Sequence, residues 1–186
     1  MGMEVVAYTA RPRTTPESRR DDGFIVPGTL GDREGTLPVA WHSGVDKASL
    51  HAFLGADLDY VLIALPLTAA TKEILGAEEF AVLGKKNAFI LNISRGESVD
   101  QDALIAALKT PQEEGGLRGA ALDVTSPEPL PADSELWGLE NVTITPHVSA
   151  WNARYFERAL GVLVENVERV GRGEKLVNEI DRKRGY

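Results

Sequence analysis

The chain has 186 residues, 43% of them hydrophobic, with 28 acidic against 20 basic side chains and a formal net charge of −8. That supply of apolar residues can bury a core, on a length that suits one domain with an appendage, and the acidic balance argues against nucleic acid or an anionic membrane as the main partner. Without cysteine there are no disulfides, thiolate metal sites or cysteine nucleophiles; His42, His51 and His147 lack metal-ligand spacing, and no apolar run approaches the roughly 18–20 residues that span a bilayer.

The first residues carry no basic-then-apolar leader, so a cytoplasmic address is expected. Met3–Thr9 is a β-rich run that predicts a strand. Residues 10–36, with Arg-Pro-Arg, Thr-Thr-Pro-Glu and Arg-Arg-Asp-Asp-Gly, predict a loop holding at most one short helix near 16–21. Leu37–Trp41 predicts a short strand. Asp46 is placed to cap a helix over Lys47–Leu54, with Leu50, Phe53 and Leu54 on one face and Gly55 as its stop.

Tyr60–Leu65 is a near-continuous apolar strand that ends at Pro66. Two short helices are expected after it, Ala70–Leu75 and Ala77–Leu83, stopped by Gly76 and Gly84. Ala88–Ile93 is a second buried strand, followed at once by Ser94, Arg95 and Gly96. Asp100 caps a helix to about Lys109 with Ala103, Leu104, Ala107 and Leu108 as its buried stripe, and residues 110–117 form an exposed connection. Gly119–Val124 and Val142–Thr145 predict two more strands, each followed by a proline-bearing loop. Last comes an amphipathic helix over Asn152–Gly171, striped by Phe156, Leu160, Leu163, Val167 and Val170, with a polar tail from Arg172 that packs loosely.

Apolar strands alternating with helices call for an α/β fold, a Rossmann-like parallel sheet with flanking helices. In such a sheet every strand ends on the same edge, where ligands collect. Three strand ends carry groups suited to one reaction: Arg95, Glu128 and His147. The arginine can grip a carboxylate with two prongs, the histidine can move a proton near neutral pH, and a neighbouring carboxylate fixes its tautomer. Together they suit interconversion of a 2-oxo and a 2-hydroxy acid, with a nicotinamide carrying the hydride. Taken singly, each has a bland reading: a solvated loop arginine, a surface acid, a loop-capping histidine. Asp123 reads equally as a turn cap or a ligand contact, Trp137 as a plug under the Leu-Pro-rich loop, and Trp151, directly after the His147 loop, as a candidate for the substrate mouth.

Four ordered motifs narrow this: Leu65-Pro-Leu-Thr68 with Thr71; Asn92-Ile-Ser-Arg95-Gly with Val99-Asp100; Ala121-Leu-Asp123-Val with Glu128-Pro-Leu-Pro and Leu136-Trp; and Asn141-Val-Thr-Ile-Thr-Pro-His147. Over nearly its whole length the chain resembles the NAD(P)-binding region of the D-isomer-specific 2-hydroxyacid dehydrogenases, and within them glyoxylate/hydroxypyruvate reductase-like members. The resemblance implies that Arg95 binds substrate, that His147 is the acid/base and that Glu128 pairs with it. It further implies cofactor contacts from Pro66, Thr71, Ile93, Ser94, Arg95, Asp123 and the loop of His147, Ser149 and Ala150. Ala150 stands where the family commonly has glycine.

The end of the first strand bears on the cofactor. An acidic residue there favours NAD through the ribose hydroxyls, whereas a nearby arginine accommodates a 2′-phosphate. Here Thr9, a further candidate cofactor contact, is followed by Arg11 and Arg13, so NADP(H) is expected over NAD(H), with Arg11 or Arg13 on the 2′-phosphate; the competing reading is two solvated arginines.

No Gly-x-Gly-x-x-Gly occurs. In the family that loop and its strand come just before the Met-Gly-Met-Glu-Val-Val stretch, so the sheet is expected to lack its first strand. The expected division is a partial NAD(P)-binding domain over 1–150 and, over 151–186, a C-terminal helix and tail that would return to an absent substrate domain. Two readings follow. One is an oxidoreductase segment, weak or inactive alone, acting on a small 2-oxo or 2-hydroxy acid and forming a homodimer through its orphaned helix stripe. The other is a non-catalytic interaction or dimerisation module built on the same half-fold.

Overall fold

The apolar runs after residue 59 become one parallel sheet in the computed structural model, which describes residues 2–28, 31–180 and 182. Its strands are β3 (Tyr60–Ile63), β4 (Phe89–Asn92), β5 (Gly119–Leu122) and β6 (Val142–Ile144), adjacent in that order. Ile63, Asn92, Leu122 and Ile144 lie in one row across the sheet, so the chain leaves all four strands at one edge. Earlier in the chain β1 (Val5–Thr9) pairs in parallel with β2 (Pro38–Ser43) as a separate sheet. Residues up to Leu50, with the stretch from Trp151, form one compact unit, and His51–Ala150 form a second.

In the second unit β3 to β6 are joined by crossovers stepping in one direction, and right-handed crossovers of that kind place α3 (Ala77–Gly84) and α4 (Gln101–Lys109) on the same face. Phe80 and Leu83 from α3, Leu104 and Leu108 from α4, and Ile90 and Leu122 from the sheet are buried, each such side chain contributing about 1.5–3 kcal/mol by leaving water. The sequence predicts strands covered on both faces. β3 instead alternates, Val61 and Ile63 buried against Tyr60 and Leu62 exposed, because both helices lie on one side. Gly76 N–H donates to Glu79 Oε2 at 3.0 Å to open α3, and His51 Nε2 meets the same buried carboxylate at 2.7 Å. Asp100 caps α4 by accepting the Ala103 N–H at 3.0 Å.

The expected helix over Ala70–Leu75 does not form. Lys72 N–H donates to Thr68 C=O, but Glu73 turns to φ +48° and gives its N–H to Glu97 C=O, after which Leu75 bridges to Val99. The neighbouring segment takes the donors that a helix would have used. Trp137 is not a plug: its ring is 56% exposed and its Nε1–H donates to Pro131 C=O.

In the first unit α1 (Pro16–Arg19) is closed by a reciprocal cap between Thr15 and Ser18. Asp46 Oδ1 accepts the Ser49 N–H at 2.8 Å at the start of α2 (Lys47–Leu54), and Tyr8 Oη lies 3.1 Å from Ser49 Oγ. α5 (Tyr155–Arg172) has the expected period, but its less exposed side carries Arg158, Gly161, Val162, Glu165, Asn166 and Arg169. Gly161 approaches Val26 closely, while Phe156, Leu160, Leu163, Val167 and Val170 are 57–71% exposed. The tail is better anchored than its composition predicts: Asn166 bonds both backbone groups of Val177, and Arg169 reaches Lys175 C=O.

Candidate functional site

The exit of β4 is shaped by Asn92, the last residue of that strand and only 1% exposed. Its Oδ1 accepts from Ser94 N–H and Ser94 Oγ, and its Nδ2 donates to Arg95 C=O at 3.0 Å. A short polar side chain thus bonds the backbone just beyond it and folds a tight turn. The turn holds Arg95 extended and exposed, its Nη1 donating to Ser94 C=O at 2.6 Å. Among the described residues no carboxylate pairs with this guanidinium. Gly96 follows, and a Cβ there would lie 1.9 Å from the Thr125 carbonyl oxygen, so only glycine lets the β4 and β5 exits meet.

Beyond β5, Asp123 is 5% exposed. Its carboxylate accepts from Thr145 Oγ1 at 2.5 Å, Val148 N–H at 2.9 Å and Ser149 N–H at 2.9 Å, and its carbonyl accepts from His147 N–H at 2.9 Å. Burial by itself raises this carboxyl's pKa. Hydrogen bonds from the Thr145 hydroxyl, the Ser149 hydroxyl and amide and the Val148 amide outweigh it, and hold the group well below the usual carboxylate range. His147 sits at φ +55°, a left-handed conformation costing a non-glycine residue about 1–2 kcal/mol. The Asp123 network holds it there.

Glu128 lies on the loop after β5, and its Oε1 meets His147 Nδ1 at 2.7 Å. That contact leaves Nε2 as the ring nitrogen not engaged by Glu128. Both side chains are close to half exposed, 46% for the histidine and 42% for the glutamate. Arg95, Glu128 and His147 therefore follow three neighbouring strands at one edge, with the latter two in contact.

An open cleft of about 610 Å³ runs along the same edge, lined by Ala64–Leu67 and Ile93–Arg95. Pro66, Ile93, Ser94 and Arg95 meet there. Thr71 shapes the Pro66 turn, its Oγ1 donating to Pro66 C=O at 2.6 Å and accepting Thr68 N–H at 2.8 Å. Ser149 belongs to the Asp123 network, and Ala150 is exposed beside it. Thr9, Arg11 and Arg13 belong to the first unit: Thr9 Oγ1 donates to Arg11 C=O, and Arg13 donates to Ser18 C=O with its guanidinium 5.9 Å from the Trp41 ring.

Sequence reasoning did not single out Asn92, Gln101 or Thr145. An asparagine closing an apolar strand is a readable turn signal. The other two bond residues 25 and 22 positions away, and nothing local marks them.

Residues 31–149 match the family model described as the NAD binding domain of D-isomer specific 2-hydroxyacid dehydrogenases. Glyoxylate/hydroxypyruvate reductase A of Salmonella paratyphi B is 37% identical over 191 residues, spanning 92% of this chain and 59% of that protein. The D-isomer specific 2-hydroxyacid dehydrogenase of Xanthobacter autotrophicus Py2, solved with NADPH and MES, aligns with a TM-score of 0.68 at 38% identity, covering 78% of this chain and 44% of that one. The NADPH-dependent glyoxylate/hydroxypyruvate reductase of Sinorhizobium meliloti, solved with NADP and sulfate, aligns at 0.67 and 29% identity, covering 97% and 56%. The chain spans about half the length of the curated relatives it matches.

Proposed function

The chain belongs to the D-isomer specific 2-hydroxyacid dehydrogenase family, and from that premise we propose that it carries the acid/base pair and the nicotinamide side of an NADP(H)-dependent reductase of small 2-oxo acids of the glyoxylate and hydroxypyruvate class. The observation that carries this reading is the 2.7 Å contact of Glu128 with His147 at the strand edge that also presents Arg95. Arg95 takes the substrate carboxylate in a two-pronged grip. His147 gives a proton from Nε2 to the carbonyl oxygen as the alcohol forms, and recovers it in the oxidative direction. Glu128 keeps the other ring proton on Nδ1. When bound, the nicotinamide supplies or accepts the hydride.

The residues present fit the nicotinamide end of the cofactor. The cleft volume is in the range of small-molecule sites, about 300–1,000 Å³, and it opens between Pro66 and the Ile93–Arg95 backbone. Thr71 shapes the Pro66 turn, and Asp123, Ser149 and Ala150, at the neighbouring β5 and β6 exits, belong to the same proposed cofactor contacts. The pyrophosphate-binding glycine loop is not in the sequence, so the activity of the chain by itself is proposed to be weak or nil.

At the adenosine end Arg11 and Arg13, with Thr9, favour NADP(H), and solved relatives holding NADPH or NADP support the choice. Arg11 is the more exposed arginine. Arg11→Ala is expected to weaken NADPH binding about tenfold, as loss of a charged hydrogen bond does, and to leave NADH binding unchanged. Fluorescence titration with both nucleotides checks this; tighter binding of NADH to the unaltered chain contradicts it.

The proposed division is an NAD(P)-binding part over 1–150 and a C-terminal helix over 151–186, whose exposed stripe is the surface left for a further domain or, in a lone chain, for a homodimer. Leu160→Glu with Leu163→Glu is expected to convert a dimer to a monomer in sedimentation; an unaltered chain that is monomeric at high concentration rules the homodimer out. No described helix is long and apolar enough to cross a membrane, and a cytoplasmic address belongs to the proposal. The stripe also favours the second reading, a non-catalytic dimerisation module. Mixing the purified chain with NADPH and glyoxylate or hydroxypyruvate separates the two: turnover that disappears in His147→Ala eliminates the module.

A further inference from the structure

Glu128 stands on a loop with little backbone bonding of its own. Pro127 and Pro129 have no N–H, so between residues 126 and 129 only Ser126 and Glu128 carry a backbone donor. The Ser126 N–H donates to Gln101 Oε1 at 3.0 Å. Gln101 is the first residue of α4, directly after the Asp100 cap and at the far end of the turn that begins with Arg95. One residue earlier, the Thr125 carbonyl abuts Gly96, and Thr125 Oγ1 donates to Pro127 C=O at 3.0 Å. The acid-bearing loop is therefore fastened to the arginine-bearing segment at two adjacent points, one steric at Gly96 and one a hydrogen bond from Gln101.

We propose that Gln101 is a positioning residue for the acid/base pair: by holding Ser126 it keeps the Glu128 carboxylate on His147 Nδ1, and so sets which ring nitrogen carries the proton. The Glu128–His147 contact does not specify that geometry by itself. Both side chains are about half exposed, and an ion pair in that setting contributes too little to position a loop by itself. The role concerns the same site as the proposed reductase and rests on that reading for its catalytic meaning. Its structural consequence is measurable without turnover.

The experiment is a long-range proton–nitrogen correlation of the imidazole rings in the full chain at about pH 9, above the ordinary histidine range. The chain has three histidines, and His42 and His51 serve as internal references. With Glu128 accepting, His147 is expected in the Nδ1–H form, whereas an unrestrained neutral imidazole favours Nε2–H. Gln101→Met keeps the side-chain length and removes the acceptor; Gln101→Glu keeps an oxygen in place and suits a helix N-terminus. Gln101→Met is expected to move the His147 tautomer ratio about fivefold or more toward Nε2–H, the scale of one lost hydrogen bond, and Glu128→Ala at least as far. Gln101→Glu is expected to retain Nδ1–H.

The proposal is overturned if Gln101→Met keeps the unaltered ratio, or if Gln101→Glu moves it as far as Gln101→Met, which would signal a general disturbance of α4. A ring already in the Nε2–H form in the unaltered chain overturns it together with the Glu128–His147 pair. Failure of the reductase assay with the tautomer pattern intact removes the catalytic reading and leaves the positioning role standing, so the two failures are distinguishable.

Discussion

In a complete enzyme carrying this segment, replacing His147 by alanine is expected to slow NADPH-dependent reduction of glyoxylate about 10²–10⁴-fold, the range a positioned general acid supplies. The substitution tests chemistry rather than folding, because the side chain is half exposed and its ring meets Glu128 at the surface. A companion variant separates the two effects further. His147 adopts φ +55°, so His147→Gly is expected to be as slow as the alanine variant yet as stable as the unaltered chain or more so, since glycine adopts that backbone without cost. Glu128→Gln retains an acceptor for Nδ1–H and loses the negative charge beside the ring. An exposed pair of this kind contributes about 1 kcal/mol at most, so a rate loss of about fivefold with an unchanged melting temperature is expected. Rates in all three variants equal to that of the unaltered protein would remove the pair from the mechanism.

Asp123→Asn is expected to be the most destabilising single change at the site. The carboxylate is buried and accepts from a hydroxyl and two backbone amides. An asparagine can face only some of those donors with its oxygen, and its NH₂ group meets the rest donor to donor. Hydrogen bonds to a buried charge contribute about 1.5–3 kcal/mol each and an unsatisfied buried group costs about 1–3 kcal/mol. A loss of about 2–4 kcal/mol follows, which lowers the melting temperature by about 5–15 °C. The same group makes stability depend on acid. Its folded pKa lies below the unfolded value, so its contribution is fully present above pH of about 4 and is lost as the pH falls from there through the folded pKa. Melting curves from pH 6 downward are expected to show a steeper acid loss in the unaltered chain than in Asp123→Asn. Parallel curves would mean that the carboxylate is not held as described.

The legible parts of this fold are those where local chemistry and tertiary packing agree. Ala88–Ile93 and Gly119–Val124 read as strands because nothing local competes with burial, and the caps at Asp46 and Asp100 lie where the sequence places them. The segment at Ala70–Leu75 has helical composition, but its backbone donors are claimed by Glu97 and Ser98 across a long-range bridge, which no local pattern announces. The period of α5 is readable and its packing face is not. Gly161 lets the helix approach Val26 on its polar side, leaving the expected core stripe in solvent. At the site the same division holds. Arg95, Glu128 and His147 are readable because parallel strands release them at one edge. The bonds from Gln101 and Thr145 that steady the loops join residues brought close by the sheet alone.

The most direct test of that shared edge is a titration of the chain, with NADPH present, by oxamate, which offers the carboxylate and adjacent carbonyl of a 2-oxo acid but resists reduction. The Arg95 Nε–H and the His147 ring resonances are expected to shift along one saturation curve, and both shifts to vanish in Arg95→Ala. Saturation that moves one of these groups and not the other, or no response from either up to the solubility of oxamate, would contradict the account.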